Sequence, residues 1–302
     1  LNNESNENKF SVGDVFLAKI GKVLSGLNAS FVNVGYEKDG FLHYHDLGAQ
    51  LKSLNRFIKG ISTGKIKDYT LKNFQLEKDI DKNGSIVDVL KTGQNLLVQI
   101  VKEPISTKGP RMSSEISIAG RYLVLVPFSD RVSVSQKIMD PDEKERLKRL
   151  AKSIKPKGFG VILRTVAEGK KVAELDKDLQ NSLDRWKTMC KSIANTNTPT
   201  KILSELNRAS SILRDVMNET FTSIVTNDET LKVEIKEYLQ EIYPEKEKIV
   251  KLHTSETPIF EKYGIERQIK TSFGRTVSKI PAHTLCHWNQ VNKIANRNTL
   301  VQ

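Results

Sequence analysis

Two phenylalanines, Phe31 and Phe41, fall on adjacent predicted strands, and Lys19, Lys22, Lys38, Lys102 and Lys108 lie on or beside the same predicted sheet. Rings that stack on bases, ringed by ammonium groups that meet phosphates, are what a grip on single-stranded RNA requires. Each stacked base contributes roughly 1–3 kcal/mol, so two rings with several phosphate contacts give useful affinity. By pattern alone, the same rings read equally well as ordinary barrel core. A second constellation is Arg164-Thr165, which follows the apolar run Val161-Ile162-Leu163 and precedes Glu168-Gly169. A guanidinium fork can bond two oxygens of a terminal phosphate while the adjacent hydroxyl bonds a third. Taken alone, the dipeptide reads more simply as a surface ion pair.

Other chemistries find less support. Gly60-Ile61-Ser62-Thr63-Gly64-Lys65 is one residue short of a phosphate-binding loop, lacks a hydroxyl after the lysine and follows no strand. His43 and His45 alternate on a strand, and His283, Cys286 and His287 gather near the C-terminal end, but a metal site needs about four well-spaced ligands. No zinc is expected. The acidic residues of the helices are spaced as solvated faces rather than as a pair holding Mg²⁺ at a phosphodiester. No Ser/His/Asp or Cys/His grouping is legible, so neither catalytic residues nor metal ligands are assigned.

The elements that must position these groups begin with a meander. Residues 14–23 mix β-branched and aromatic residues with polar ones, and Ser25-Gly26-Leu27-Asn28 supplies a turn. Strands follow at 29–34 and, after Glu37-Lys38-Asp39, at Gly40-Phe41-Leu42-His43. Residues 46–85, rich in Lys, Asn and Gly, read as a long insertion with one short helix. Strands resume at 95–101 and 111–118, so five strands interrupted once predict a closed OB-type barrel. Beyond it come a buried strand at 122–127, a helix opened by Asp140-Pro141 and running to about residue 154, and a strand at 158–166. A long helix then carries Leu175, Leu179, Leu183, Trp186, Cys190 and Ile193 at three- and four-residue spacing, which makes Cys190 a buried structural thiol. After a polar linker at 195–200 a third segment begins near Lys201. In it, Asn227-Asp228 caps a helix with Leu231, Ile235, Tyr238, Leu239 and Ile242 on one face, and 259–273 forms a last amphipathic stretch.

The chain has 302 residues, enough for two or three units with their own cores, and its 38% hydrophobic and 28% charged content is that of a globular protein. Its longest apolar runs are far too short to cross a bilayer, and no signal peptide is recognisable. A net charge of +12, spread along the chain, draws polyanions: nucleic acid, or an anionic membrane surface. The membrane reading lacks a basic amphipathic helix with aromatic anchors. Two distant cysteines outside any CxxC pair fit a reducing cytoplasm, which is the expected location.

From Gly13 to Val277 the chain resembles the bacterial RNase E/RNase G endoribonucleases. The resemblance rests on ordered segments: Leu27-Asn28-Ala29-Ser30-Phe31-Val32-Asn33-Val34-Gly35 with Gly40-Phe41-Leu42, then Gly93-Gln94, Val98-Gln99-Ile100 and Thr107-Lys108-Gly109. Ile118-Ala119-Gly120-Arg121-Tyr122-Leu123-Val124 and Ile162-Leu163-Arg164-Thr165-Val166-Ala167-Glu168-Gly169 follow. The last are Glu256-Thr257-Pro258-Ile259-Phe260 and Ile265-Glu266-Arg267-Gln268-Ile269. Any one segment is weak; the ordered set is specific.

The resemblance implies an α+β protein with an S1-like OB-fold RNA-binding domain at 10–119, interrupted by the insertion at 46–85. A 5′-sensor region at 120–200, a partial RNase H-like domain at 201–278 and an atypical tail at 279–302 follow. It implies RNA stacking on Phe31 and Phe41, backbone contacts from Lys102 and Lys108, and a 5′-monophosphate pocket of Gly120, Val124, Arg164 and Thr165. Full-length members use Mg²⁺ and form homo-oligomers. This chain departs from the pattern beyond Val277, with no Asp-x-Asn-Ser-Gly segment and no zinc-sharing cysteine pair. The leading segment reads as truncated, and the start at Leu1 as a missing native N-terminus. The tail, without a single Asp or Glu, reads as an interrupted or shifted reading frame, or as an authentic divergent end. The expectation is an RNA-binding portion of such an enzyme that binds single-stranded RNA without cleaving it and holds no Mg²⁺ itself. The other reading is a non-catalytic S1-type adaptor.

Overall fold

The computed structural model describes residues 10–194 and 196–273. The tail at 279–302, with His283, Cys286 and His287, lies outside the described residues. The chain divides into two compact units, the first ending at Asn207 and the second starting at Arg208.

The first unit opens with a five-stranded barrel. β1 (Val15–Leu24), β2 (Ala29–Asn33) and β3 (Gly40–His43) form an antiparallel meander. α1 (Leu51–Ser62) and the single-turn α2 (Ile86–Val89) precede β4 (Asn95–Lys102) and β5 (Arg111–Ser113). β5 lies parallel to β3 and antiparallel to β4, and β4 returns to β1, closing the order β1-β2-β3-β5-β4 into an OB-like barrel. A closed sheet leaves no unpaired edge and turns alternate residues inward. Inside lie Phe16, Ala18, Ile20, Val32, Leu42, Leu96, Val98, Ile100 and Met112.

Beside the barrel stands a four-stranded sheet in the order β6-β7-β9-β8, from β6 (Ile118–Ala119), β7 (Leu123–Pro127), β8 (Val132–Val134) and β9 (Phe159–Leu163). The predicted strand at 111–118 is thus two strands belonging to two sheets. β8, which the sequence pattern did not reveal, is only three residues long, half-buried, and pairs parallel to β9. α3 (Pro141–Ile154) begins at Asp140, whose carboxylate accepts from the Asp142 N–H. α4 (Val172–Ile193) lays its predicted stripe against the sheet, with Leu175, Leu179, Trp186, Cys190 and Ile193 buried and Leu183 half-buried. Burial pushes the Cys190 thiol well above its ordinary pKa, as suits a structural residue. β10 (Thr200–Leu203) then pairs with β1, so Lys201 and the buried Ile202 belong to this first unit rather than opening a third segment.

Two strands and one helix weld barrel and sheet together. On β1 and β4 the apolar residues are continuous because both faces are covered: Phe16 and Ala18 point into the barrel, while Val15 and Leu17 join the second core. Residues 46–85, expected as an excursion, instead supply the keystone. α1 buries Leu54, Phe57, Ile58 and Ile61 in the second core and Leu51 in the barrel core. Phe57 stacks on Trp186 at 5.8 Å and meets Phe74 and Phe128 edge-on. The Trp186 indole N–H donates to Tyr69 O at 2.8 Å.

The second unit contains α5 (Arg208–Val216), β11 (Ile224–Thr226), α6 (Glu229–Ile242) and β12 (Val250–Leu252), with β11 and β12 parallel. Asp228 caps α6 by accepting from Leu231 N–H, and Leu213, Met217, Ile235, Leu239 and Val250 form its core. The last predicted stretch is two short helices, α7 (Ile259–Lys262) and α8 (Ile265–Ser272), broken where Gly264 takes a φ of 67°.

Candidate nucleic-acid interface

Strand alternation decides what faces outward on the barrel. On β2 Val32 is buried while Phe31 is half-exposed; on β3 Leu42 is buried while Phe41 and His43 are half-exposed. Phe31 lies directly opposite Phe41 in the antiparallel register, and their rings meet edge to face at 6.1 Å. Neither ring is part of the barrel core. The register continues sideways: Arg111 on β5 pairs with Phe41, and Lys102 on β4 pairs with Arg111. Phe31, Phe41, Arg111 and Lys102 therefore form one row across four neighbouring strands. Lys19 pairs with Asn33 and stands exposed on the same outer face.

Lys108 is exposed in the β4–β5 loop, bridged to Ile105. That loop docks on the β2–β3 turn. Lys38 donates to Ser106 O at 3.2 Å, and Gly109 approaches the backbone of Asp39 so closely that any Cβ would collide with Asp39 O. Glycine is required there by space. Arg111 was not singled out by the sequence. Its Nε and Nη2 donate to the two Asp46 oxygens at 3.0 Å each, and the carboxylate raises the guanidinium pKa further above its ordinary value.

The second constellation assembles at the turn between β6 and β7. Arg164 Nη1 donates to Gly120 O at 3.0 Å, and Arg164 N–H donates to Tyr122 O. Gly120 is pressed against α4: a Cβ there would lie 2.6 Å from Asp178 Oδ2. The Asp178 carboxylate accepts three consecutive backbone N–H groups, from Arg121, Tyr122 and Leu123, at 2.8–3.0 Å. Val124 pairs with Ile162, Val124 half-buried and Ile162 exposed. Thr165 is exposed, and its hydroxyl lies 3.0 Å from that of Ser135, at the end of β8. So the structure joins Gly120 directly to Arg164, sets Val124 one strand row away, and gives Thr165 the unforeseen partner Ser135. Asp178 was also missed. On α4 it looks like one more acid of a solvated face, and only the tertiary fold brings the turn onto it.

Among the described residues no three His, Cys, Asp or Glu side chains converge as a metal site. No helix among them is long and apolar enough to cross a membrane.

A family model described as the Ribonuclease E/G family matches residues 117–281. Ribonuclease G of Haemophilus influenzae is 30% identical over 267 residues, covering 88% of this chain and 50% of that protein. A ribonuclease E/G-like protein of Pyropia yezoensis is 31% identical, covering 86% and 47%. Ribonuclease E of a Nostoc species is 32% identical, covering 76% and 30%. The chain spans about half the length of the first two of these curated relatives.

Proposed function

The chain belongs to the Ribonuclease E/G family, and from that premise we propose that it is the RNA-recognition portion of a ribonuclease of this kind. In this reading single-stranded RNA stacks on Phe31 and Phe41 of an S1-type barrel, and Lys102 and Lys108 meet its phosphates. A 5′-terminal monophosphate sits at the β6–β7 turn against Gly120 and Val124, held by the Arg164 guanidinium and the Thr165 hydroxyl. The observation that carries the proposal is the outward, cross-strand pair of rings, half-exposed and left out of the barrel core. Rings on such a surface expose apolar area unless a flat ligand covers them.

The chain contains no Asp-x-Asn-Ser-Gly segment, and we expect it to bind RNA without hydrolysing it. The magnesium ions and homo-oligomers of full-length relatives, and a cytoplasmic location, belong to the same proposal and rest on the family likeness.

Fluorescence anisotropy with a short labelled RNA tests the reading. Phe31→Ala and Phe41→Ala are each expected to weaken binding by roughly 1–3 kcal/mol, and unchanged affinity in folded variants contradicts the stacking role. Arg164→Ala removes any preference for a 5′-monophosphate over a 5′-hydroxyl. Cleavage of 5′-monophosphorylated RNA in magnesium buffer, abolished by a chelator, would overturn the non-hydrolytic assignment.

A further inference from the structure

The row that begins with the two phenylalanines does not end with them. Next to Phe41, one strand over, stands Arg111, and with strands spaced 4.7–4.9 Å apart the row Phe31, Phe41, Arg111, Lys102 covers roughly 14 Å. Asp46 grips Arg111 through Nε and Nη2, both on one edge of the guanidinium. Such a two-point bond is coplanar, so it fixes the plane without covering its flat faces. Asp46 is itself held: its carbonyl accepts from Ser114 N–H and from the Ser113 hydroxyl. The Arg111 side chain remains 46% exposed against 18% for Asp46. A fixed, exposed guanidinium plane beside an aromatic ring is a surface on which a nucleobase stacks.

We propose that Arg111, locked in plane by Asp46, is a third stacking shelf for a base of single-stranded RNA, continuing the platform of Phe31 and Phe41. The inference rests on the barrel reading given above. It carries a distinctive consequence. Because the Arg111–Asp46 pair has no net charge, its contribution releases no counterions, whereas that of Lys102 does.

The test is anisotropy of a labelled 5′-hydroxyl oligouridylate with the full chain, repeated across salt concentrations. Arg111→Ala weakens binding about tenfold, and Arg111→Ala combined with Asp46→Ala, which removes the pair without altering the net charge, does so with the slope of log affinity against log salt unchanged. Lys102→Ala makes that slope shallower by about 0.7. Arg111→Lys keeps the ion pair but loses the plane, so it does not restore affinity; should Arg111→Ala unfold, this variant carries the same comparison. Full affinity in Arg111→Lys makes the residue a mere charge and overturns the shelf. Unchanged binding by Arg111→Ala alongside weakened binding by Phe41→Ala removes the shelf and keeps the platform. If Phe41→Ala also binds unchanged, the barrel reading itself falls.

Discussion

At the residue scale, single carboxylates do most of the positioning. Asp178 gathers three successive N–H groups of the β6–β7 turn, so Asp178→Ala leaves three donors short of partners. Each buried, unpaired donor costs about 1–3 kcal/mol, and water reaches some of them, so a loss of about 3 kcal/mol in urea unfolding is expected. On the proposed reading, any preference for a 5′-monophosphate should disappear with it, because Gly120 is seated on that carboxylate. Glu143 works similarly under the following loop, accepting from Arg146 and from Gly169 N–H. The Arg146 guanidinium, then the Gly169 N–H, hold the Glu143 carboxyl below its ordinary pKa despite partial burial. Its contribution is therefore present at neutral pH and lost as pH falls through the depressed value. Glu143→Gln should cost about 1 kcal/mol near neutrality, with the gap to the unaltered chain closing in strong acid, as read from unfolding curves at both pH values.

At the element scale the decisive piece is α1. Its apolar positions recur at helical spacing, yet it is embedded in a Lys- and Asn-rich stretch whose composition reads as surface. Composition averages over a segment, whereas burial depends on which face meets a partner, and α1 meets Trp186 and Phe128 from far along the chain. Phe57→Ala should therefore cost about 3–5 kcal/mol, measured by denaturant unfolding, although it lies in what reads as an insertion. A loss below 1 kcal/mol would mean that α1 is a passenger on the surface. By contrast α4 and α6 were legible, because a sustained apolar stripe and an Asp cap are local signals. β8 was not, being three half-buried residues that pair with β9.

At the scale of the whole molecule, the barrel core and the sheet core are tied together by β1, β4 and α1, which contribute to both, while the residues from Arg208 have a core of their own. A chain ending at Asn207 should thus fold cooperatively and bind 5′-hydroxyl RNA within about twofold of the full chain. Non-cooperative melting of that fragment would show that its core is incomplete. The affinity of either form should fall with salt, by about 0.7 in log–log slope for each phosphate neutralised.

By itself the sequence determined the alternation that builds the barrel, the stripe that buries Cys190, the caps that open α3 and α6, and the ordered motifs that mark the family. All of these are written in residues close together along the chain. Only tertiary structure decided that Phe31 faces Phe41 on the outside, that Arg111 and Lys102 extend their row, and that Asp178 and Ser135 join Gly120, Arg164 and Thr165. Inside and outside of a strand differ by one residue of register, and register is set by which distant strand closes the sheet.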